Sequence, residues 1–157
     1  MKKRTMLWLA AASALAVLAA CAGGVAAPAG TAAEIIDKVF AQASVEPFGM
    51  SQSLATDEDI AFFLGSTDYP PFAEAVAVMP MINIDTRVLV IIKAADKGDV
   101  EEIKAGLKEN IDPNRVVCVT FSPQDVAIES RGDVIMMTIN TDAEQRTALV
   151  EAFNGIE

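Results

Sequence analysis

The chain has 157 residues, with 22 acidic against 12 basic, no His, two Cys and a formal net charge of −10. Without His there is no Ser-His-Asp or Cys-His pair and no His-ligated zinc site. So acidic a surface also repels nucleic-acid phosphates and anionic headgroups, which argues against nucleic acid as a partner.

Lys2, Lys3 and Arg4 open the chain, and Met6 to Ala20 follows as an apolar run broken only by Ser13. A positive start, a short apolar stretch and small residues at its end are the layout of a secretory signal. The cations stay at the negative inner leaflet while the apolar helix enters the bilayer. Leu18-Ala19-Ala20-Cys21 has the form of a bacterial lipobox. On that reading the peptide is cut before Cys21, whose thiol carries a diacylglyceryl group. Two or more acyl chains give the stable anchoring that one does not. An uncleaved anchor stays open, because the run nears the roughly 17–25 residues of a spanning helix, and so does ordinary secretion.

The expected division is a signal peptide over 1–20, a lipidated Cys and flexible tether over 21–30, and one domain over 31–157. Residues Ala22 to Gly30 are small and uncharged, as suits a tether. The leader holds three of the twelve basic residues and none of the 22 acidic ones. Cleavage therefore leaves 9 against 22, a net charge of −13. The 137 remaining residues can bury a real core.

Four helices are expected to start at Thr31-Ala-Ala-Glu34, Thr56-Asp-Glu-Asp59, Asp99-Val-Glu-Glu102 and Thr141-Asp-Ala-Glu144. In each, a Thr or Asp caps a backbone N–H and an acid three residues on reaches back. Gly65 stops the second helix, and Asn154-Gly155 the fourth. Strands are expected over 75–84, interrupted by Pro80, and over 88–92 and 116–120. Both of the latter are apolar on both parities, as strands buried on two faces are. Two further strands, 126–129 and 134–139, flank a turn at Ser130-Arg-Gly-Asp133. Strand 88–92, the third helix and strand 116–120 are expected to form a right-handed β-α-β crossover. The resulting fold class is α+β, a two-layer sandwich with a mixed sheet of about five strands and helices mainly on one face.

Three stretches resemble a known family: Ile91-Ile-Lys-Ala-Ala-Asp96 with Gly98-Asp-Val-Glu-Glu-Ile-Lys104, Asn110-Ile-Asp-Pro113, and Gly132-Asp-Val-Ile-Met-Met-Thr-Ile139. The chain from Ile35 to Phe153 is similar to an uncharacterised family of Gram-positive bacterial lipoproteins, domain-of-unknown-function family 4358. The resemblance implies a leader like residues 1–21 and no established activity, cofactor or catalytic residue.

Cys118, among Val116, Val117 and Val119, reads as a buried core thiol. Arg131-Gly132-Asp133 spells an integrin-binding tripeptide but falls where a hairpin needs a glycine turn. Met79, Met81, Met136 and Met137 read as core filling on strands. Asp57 and Asp59 at a helix start, with Asp68, Tyr69 and Phe72 around a rigid Pro70-Pro71, form the candidate ligand-binding loop. No calcium-loop spacing accompanies them, so neither a metal nor any other cofactor is expected. The functional expectation is a lipid-anchored protein on the extracytoplasmic face of the cytoplasmic membrane. It would be a non-enzymatic binding or accessory module for an unknown envelope protein or small ligand. The alternative is a carboxylate-based hydrolase of envelope glycans, which needs only two placed acids.

Overall fold

The structure is a computed structural model that describes residues 26–157 except Asn83, Val116 and Val117. Cys21, the lipobox and the first part of the tether lie outside the described residues.

Helix α1, Ala32–Ala43, begins with the expected reciprocal cap: Glu34 N–H donates to Thr31 Oγ1 at 3.2 Å, and Thr31 N–H donates to Glu34 Oε2 at 2.8 Å. Its apolar stripe, Ile35, Ile36, Val39 and Phe40, is buried. Strand β1, Ser51–Ser53, follows and then α2, Asp57–Leu64, which Thr56 caps and Gly65 ends. Strand β2 is Phe72–Val78 and β3 is Val88–Ala94. A 3-10 turn leads into α3, Val100–Asn110; there Asp96 caps the turn, and Asp99 makes no side-chain cap. Strands β4, Val126–Arg131, and β5, Val134–Ile139, form a hairpin, and α4 is Ala143–Gly155. Its cap is Asp142 rather than Thr141, with Oδ1 accepting from Glu144 and Gln145 N–H.

The fold is α+β with one five-stranded sheet in the order β1-β2-β3-β5-β4. Every neighbouring pair is antiparallel, so the mixed sheet expected from the sequence is not formed. The reason lies in β3. It has β2 on one side and β5 on the other, so no edge is left for a parallel partner after α3. Residues Cys118 to Thr120 accordingly lie in a turn and loop, not in a strand; Val116 and Val117 of that expected strand are outside the described residues. Cys118 is exposed, which corrects its reading as a core thiol.

The helices also divide, two to each face. Alternate residues of β3 separate the cores, as strand geometry requires. Leu89 and Ile91 pack with α1 and α4, including Phe40, Leu149 and Phe153. Val88, Val90 and Ile92 pack with α2 and α3, including Phe63, Ile103 and Leu107, and with Phe121 of the loop before β4. Helices on one face alone would leave half of this apolar strand in water. Met136 and Met137 are buried on β5, but Met79 is only half-buried and Met81 is exposed, so core filling fails for Met81.

The sheet has two distinct ends. At one end Ala94 N–H donates to Asp133 O, and the two-residue Gly132-Asp133 turn closes the hairpin. Gly132 has φ 63°, a value natural to glycine at the first position of a type II′ turn. Ala27 lies against it, so closely that a Cβ at Gly132 would stand 2.7 Å from Ala27 Cβ. Lys38 Nζ donates to Ala29 O and Lys93 Nζ to Gly30 O, both at 2.9 Å, and Pro28 is buried. Residues 26–30 are thus held against the body, which begins before Thr31. At the other end lies the loop between β2 and β3.

Candidate functional site

The residues of the candidate loop part company. Asp57 and Asp59 stand on the first turn of α2, and Asp59 faces β1: its Oδ1 accepts from Gln52 Nε2 at 2.9 Å and its Oδ2 from Thr56 Oγ1 at 2.7 Å. Asp68 is exposed, its N–H donating to Ser66 Oγ at 3.0 Å. Tyr69 and Phe72 do meet, with ring centroids 5.8 Å apart. Tyr69 is used internally. Its hydroxyl donates to Leu64 O at 2.6 Å, its ring lies over Gly106 of α3, and burial pushes its pKa up. Asp59 therefore belongs to the β1 edge, whereas Tyr69 wedges α2 against α3.

A groove of about 390 Å³ opens beside that edge, lined by Met50, Gln52, Phe63, Ala77, Met79 and Met81 among others. Sequence reading missed it, because Ser51-Gln-Ser53 has no apolar periodicity to mark it as a strand. One signal was available: the apolar run of the expected strand 75–84 continues past Pro80, where β2 has already ended. The result is exposed apolar surface at this end of the sheet. Met50 is 75% exposed, Met81 84%, Ile82 55% and Ile84 69%. Met50 and Met81 line one groove, and Ile82 and Ile84 follow on the loop that leaves it; exposed large apolar residues gathered in this way mark a contact surface.

The flanking loop is stiffened by charge. Arg87 Nε donates to Asp85 Oδ2 at 2.9 Å and Nη2 to the same oxygen at 2.6 Å, and the guanidinium stands 4.7 Å over the Phe48 ring. The pair holds the Asp85 carboxyl below the usual carboxylate range. Arg115 Nη2 donates to Thr86 O at 3.0 Å, and its guanidinium lies near the Phe62 and Phe121 rings. Burial pushes Arg115 down to about 10.

A second groove, about 330 Å³, runs along β4 between Val126, Ile128, Ile111, Pro113, Phe121 and Pro123. Lys108 of α3 stands at its side. Arg131 of the integrin-like tripeptide is engaged elsewhere: its Nη1 donates to Phe153 O at 2.9 Å and to Ile156 O, closing the end of α4. Among the described residues no group of three His, Cys, Asp or Glu is placed to hold a metal ion. Among them, too, no helix is long and apolar enough to cross a membrane. Compared with protein-family models, curated proteins and solved structures, the chain matches none.

Proposed function

We propose that this chain is a lipid-anchored protein of the extracytoplasmic membrane face, of the kind its family resemblance implies. It acts as a non-enzymatic binding or accessory module of the cell envelope. The leader ending in Leu18-Ala19-Ala20-Cys21 carries the anchoring half of this reading. The exposed cluster of Met50, Met81, Ile82 and Ile84 supports the binding half. Their placement fits together. The chain enters the body at the β4–β5 turn, and the apolar cluster lies at the opposite end of the sheet. Five residues from Cys21 to Ala26 reach at most about 18 Å, so the anchored body would sit close to the bilayer with the cluster turned outward.

Cys21→Ala is the test. Expressed in a bacterium that processes lipoproteins, the wild type should incorporate labelled fatty acid and fractionate with membranes. The variant should take up no label and be released or left unprocessed. Equal labelling and equal membrane retention of the two would overturn the anchoring.

A further inference from the structure

We infer that the β1 edge and its groove take an extended peptide segment of a partner protein, one that carries apolar residues together with Lys or Arg. This deepens the binding-module reading and rests on it.

The backbone supplies the first argument. Ser51, Gln52 and Ser53 lie opposite Val78, Ala77 and Val76, and Leu54 N–H donates to Ala75 O at 2.9 Å. In an antiparallel pair hydrogen-bonded positions alternate. Leu54 and Gln52 therefore bond inward to β2, and Ser51 and Ser53 turn their N–H and C=O groups away from it. These are the groups an added strand needs. Among the described residues β1 is the last strand on this side of the sheet, and all three of its residues are exposed.

The side chains define what such a strand would present. Gln52 lies opposite Ala77, on the α2 face, where Met50, Phe63, Met79 and Met81 line the groove. Partner residues on that parity meet an apolar surface. Methionine suits this role because its unbranched chain adapts to varied shapes. Beside the edge stand Asp57 and Glu58, both exposed, and Asp59, held by Gln52. A segment carrying cations gains from these acids, and a second copy of a chain whose net charge is −13 once the leader is removed is repelled.

The bilayer is disfavoured as occupant by reach. The seven residues of β3 span about 23 Å between the end where Ala27 docks and the end bearing Met81. In the anchored state the cluster faces away from the membrane that holds the protein.

The experiment pans a displayed library of random linear octapeptides against the full chain in detergent micelles, and then titrates synthetic versions of the enriched sequences. Enriched peptides should alternate apolar residues and carry Lys or Arg, and their binding should weaken as salt is raised from 50 to 500 mM. Met81→Asp should weaken binding at least tenfold. Ser53→Pro removes one outward N–H while leaving the bonds to β2, a substitution an edge strand tolerates, and it should weaken binding about as much. Ser130→Ala, on the far edge strand, should change nothing. No enrichment, enriched peptides without cations, or binding indifferent to Ser53→Pro would each overturn the inference. So would vesicle binding by the Cys21→Ala chain, or a dimer, that disappears with Met81→Asp. Fatty-acid labelling of Cys21 is independent of all these readings, so the anchor and the groove can fail separately.

Discussion

The two faces of the sheet are built to different degrees of closure. On one face, α1 and α4 touch each other as well as the sheet, and Arg131 ties the end of α4 to the hairpin. On the other, α2 and α3 have eight and eleven residues, Tyr69 wedges between them, and the grooves beside β1 and β4 reach strand residues there. The same strands serve both sides, so the difference lies in what covers them. The longer, capped helix pair seals the sheet itself, and the depressions on its side, beside Phe40 to Pro47 and Ala143 to Glu151, involve no strand residue. Two shorter helices leave Gln52, Ala77, Val126 and Ile128 of the sheet lining open grooves.

The contrast can be broken most sharply in the core. Phe153→Ala, on the sealed face, should cost about 3–5 kcal/mol and lower the melting temperature in a single transition. Leu107→Ala, on the open face, has more room to relax and should cost nearer 2–3 kcal/mol. Equal losses in urea titrations would remove the distinction.

A smaller effect tests the wedge. A Cβ on Gly106 would stand 2.7 Å from Tyr69 Cε1. Gly106→Ala should therefore destabilise by about 1–2 kcal/mol despite the helix propensity it gains. With Tyr69→Ala already present, the same change should stabilise by about 0.5–1 kcal/mol. Failure of the sign to reverse in this double-mutant cycle would mean that Tyr69 does not set the α2–α3 spacing.

The smallest effects are electrostatic and appear in acid. The folded-state pKa values of Glu34 and Asp125 are lowered, chiefly by the hydrogen bonds of Thr31 and Ser122. A lowered carboxyl stabilises the fold fully above its unfolded value, near 4, and loses that contribution as pH falls through that value toward the lowered one. Melting temperature should thus decline from about pH 5 to pH 3. Glu34→Gln should flatten this decline through the cap of α1, and Asp125→Asn through the turn before β4 and its Arg146 partner on α4. A slope unchanged by both would place the acid sensitivity elsewhere.

Local features were readable from the residues, and relations between distant segments were not. Thr31 with Glu34 and Thr56 before Asp59 mark helix starts that the structure contains, because capping needs only neighbours. Val88 to Ile92 announced a strand buried on both faces by its β-branched run. Val116 to Thr120 has the same composition, yet the described part of it forms a turn and loop, since β3 had already acquired two partners. Pairing is settled by competition across the whole chain, which no window of five residues records. The site follows this pattern. Asp57 and Asp59 could be flagged as an acidic helix start, but Ser51–Ser53 is polar, short and a strand only because β2 lies beside it.

Gly132 and Arg131 are consecutive, and each holds one end of the described segment: Ala27 rests on the first, and Ile156 O accepts from the second. The first and last described segments are therefore spatial neighbours, the arrangement that circular permutation exploits. Joining them by a short linker and opening the chain at the loop between Val78 and Val88 would move both new ends to the far end of the sheet. If the anchoring proposed above holds, a permutant lipidated there would present the hairpin turn outward and bring Met81 to the membrane, turning the molecule over without altering its core.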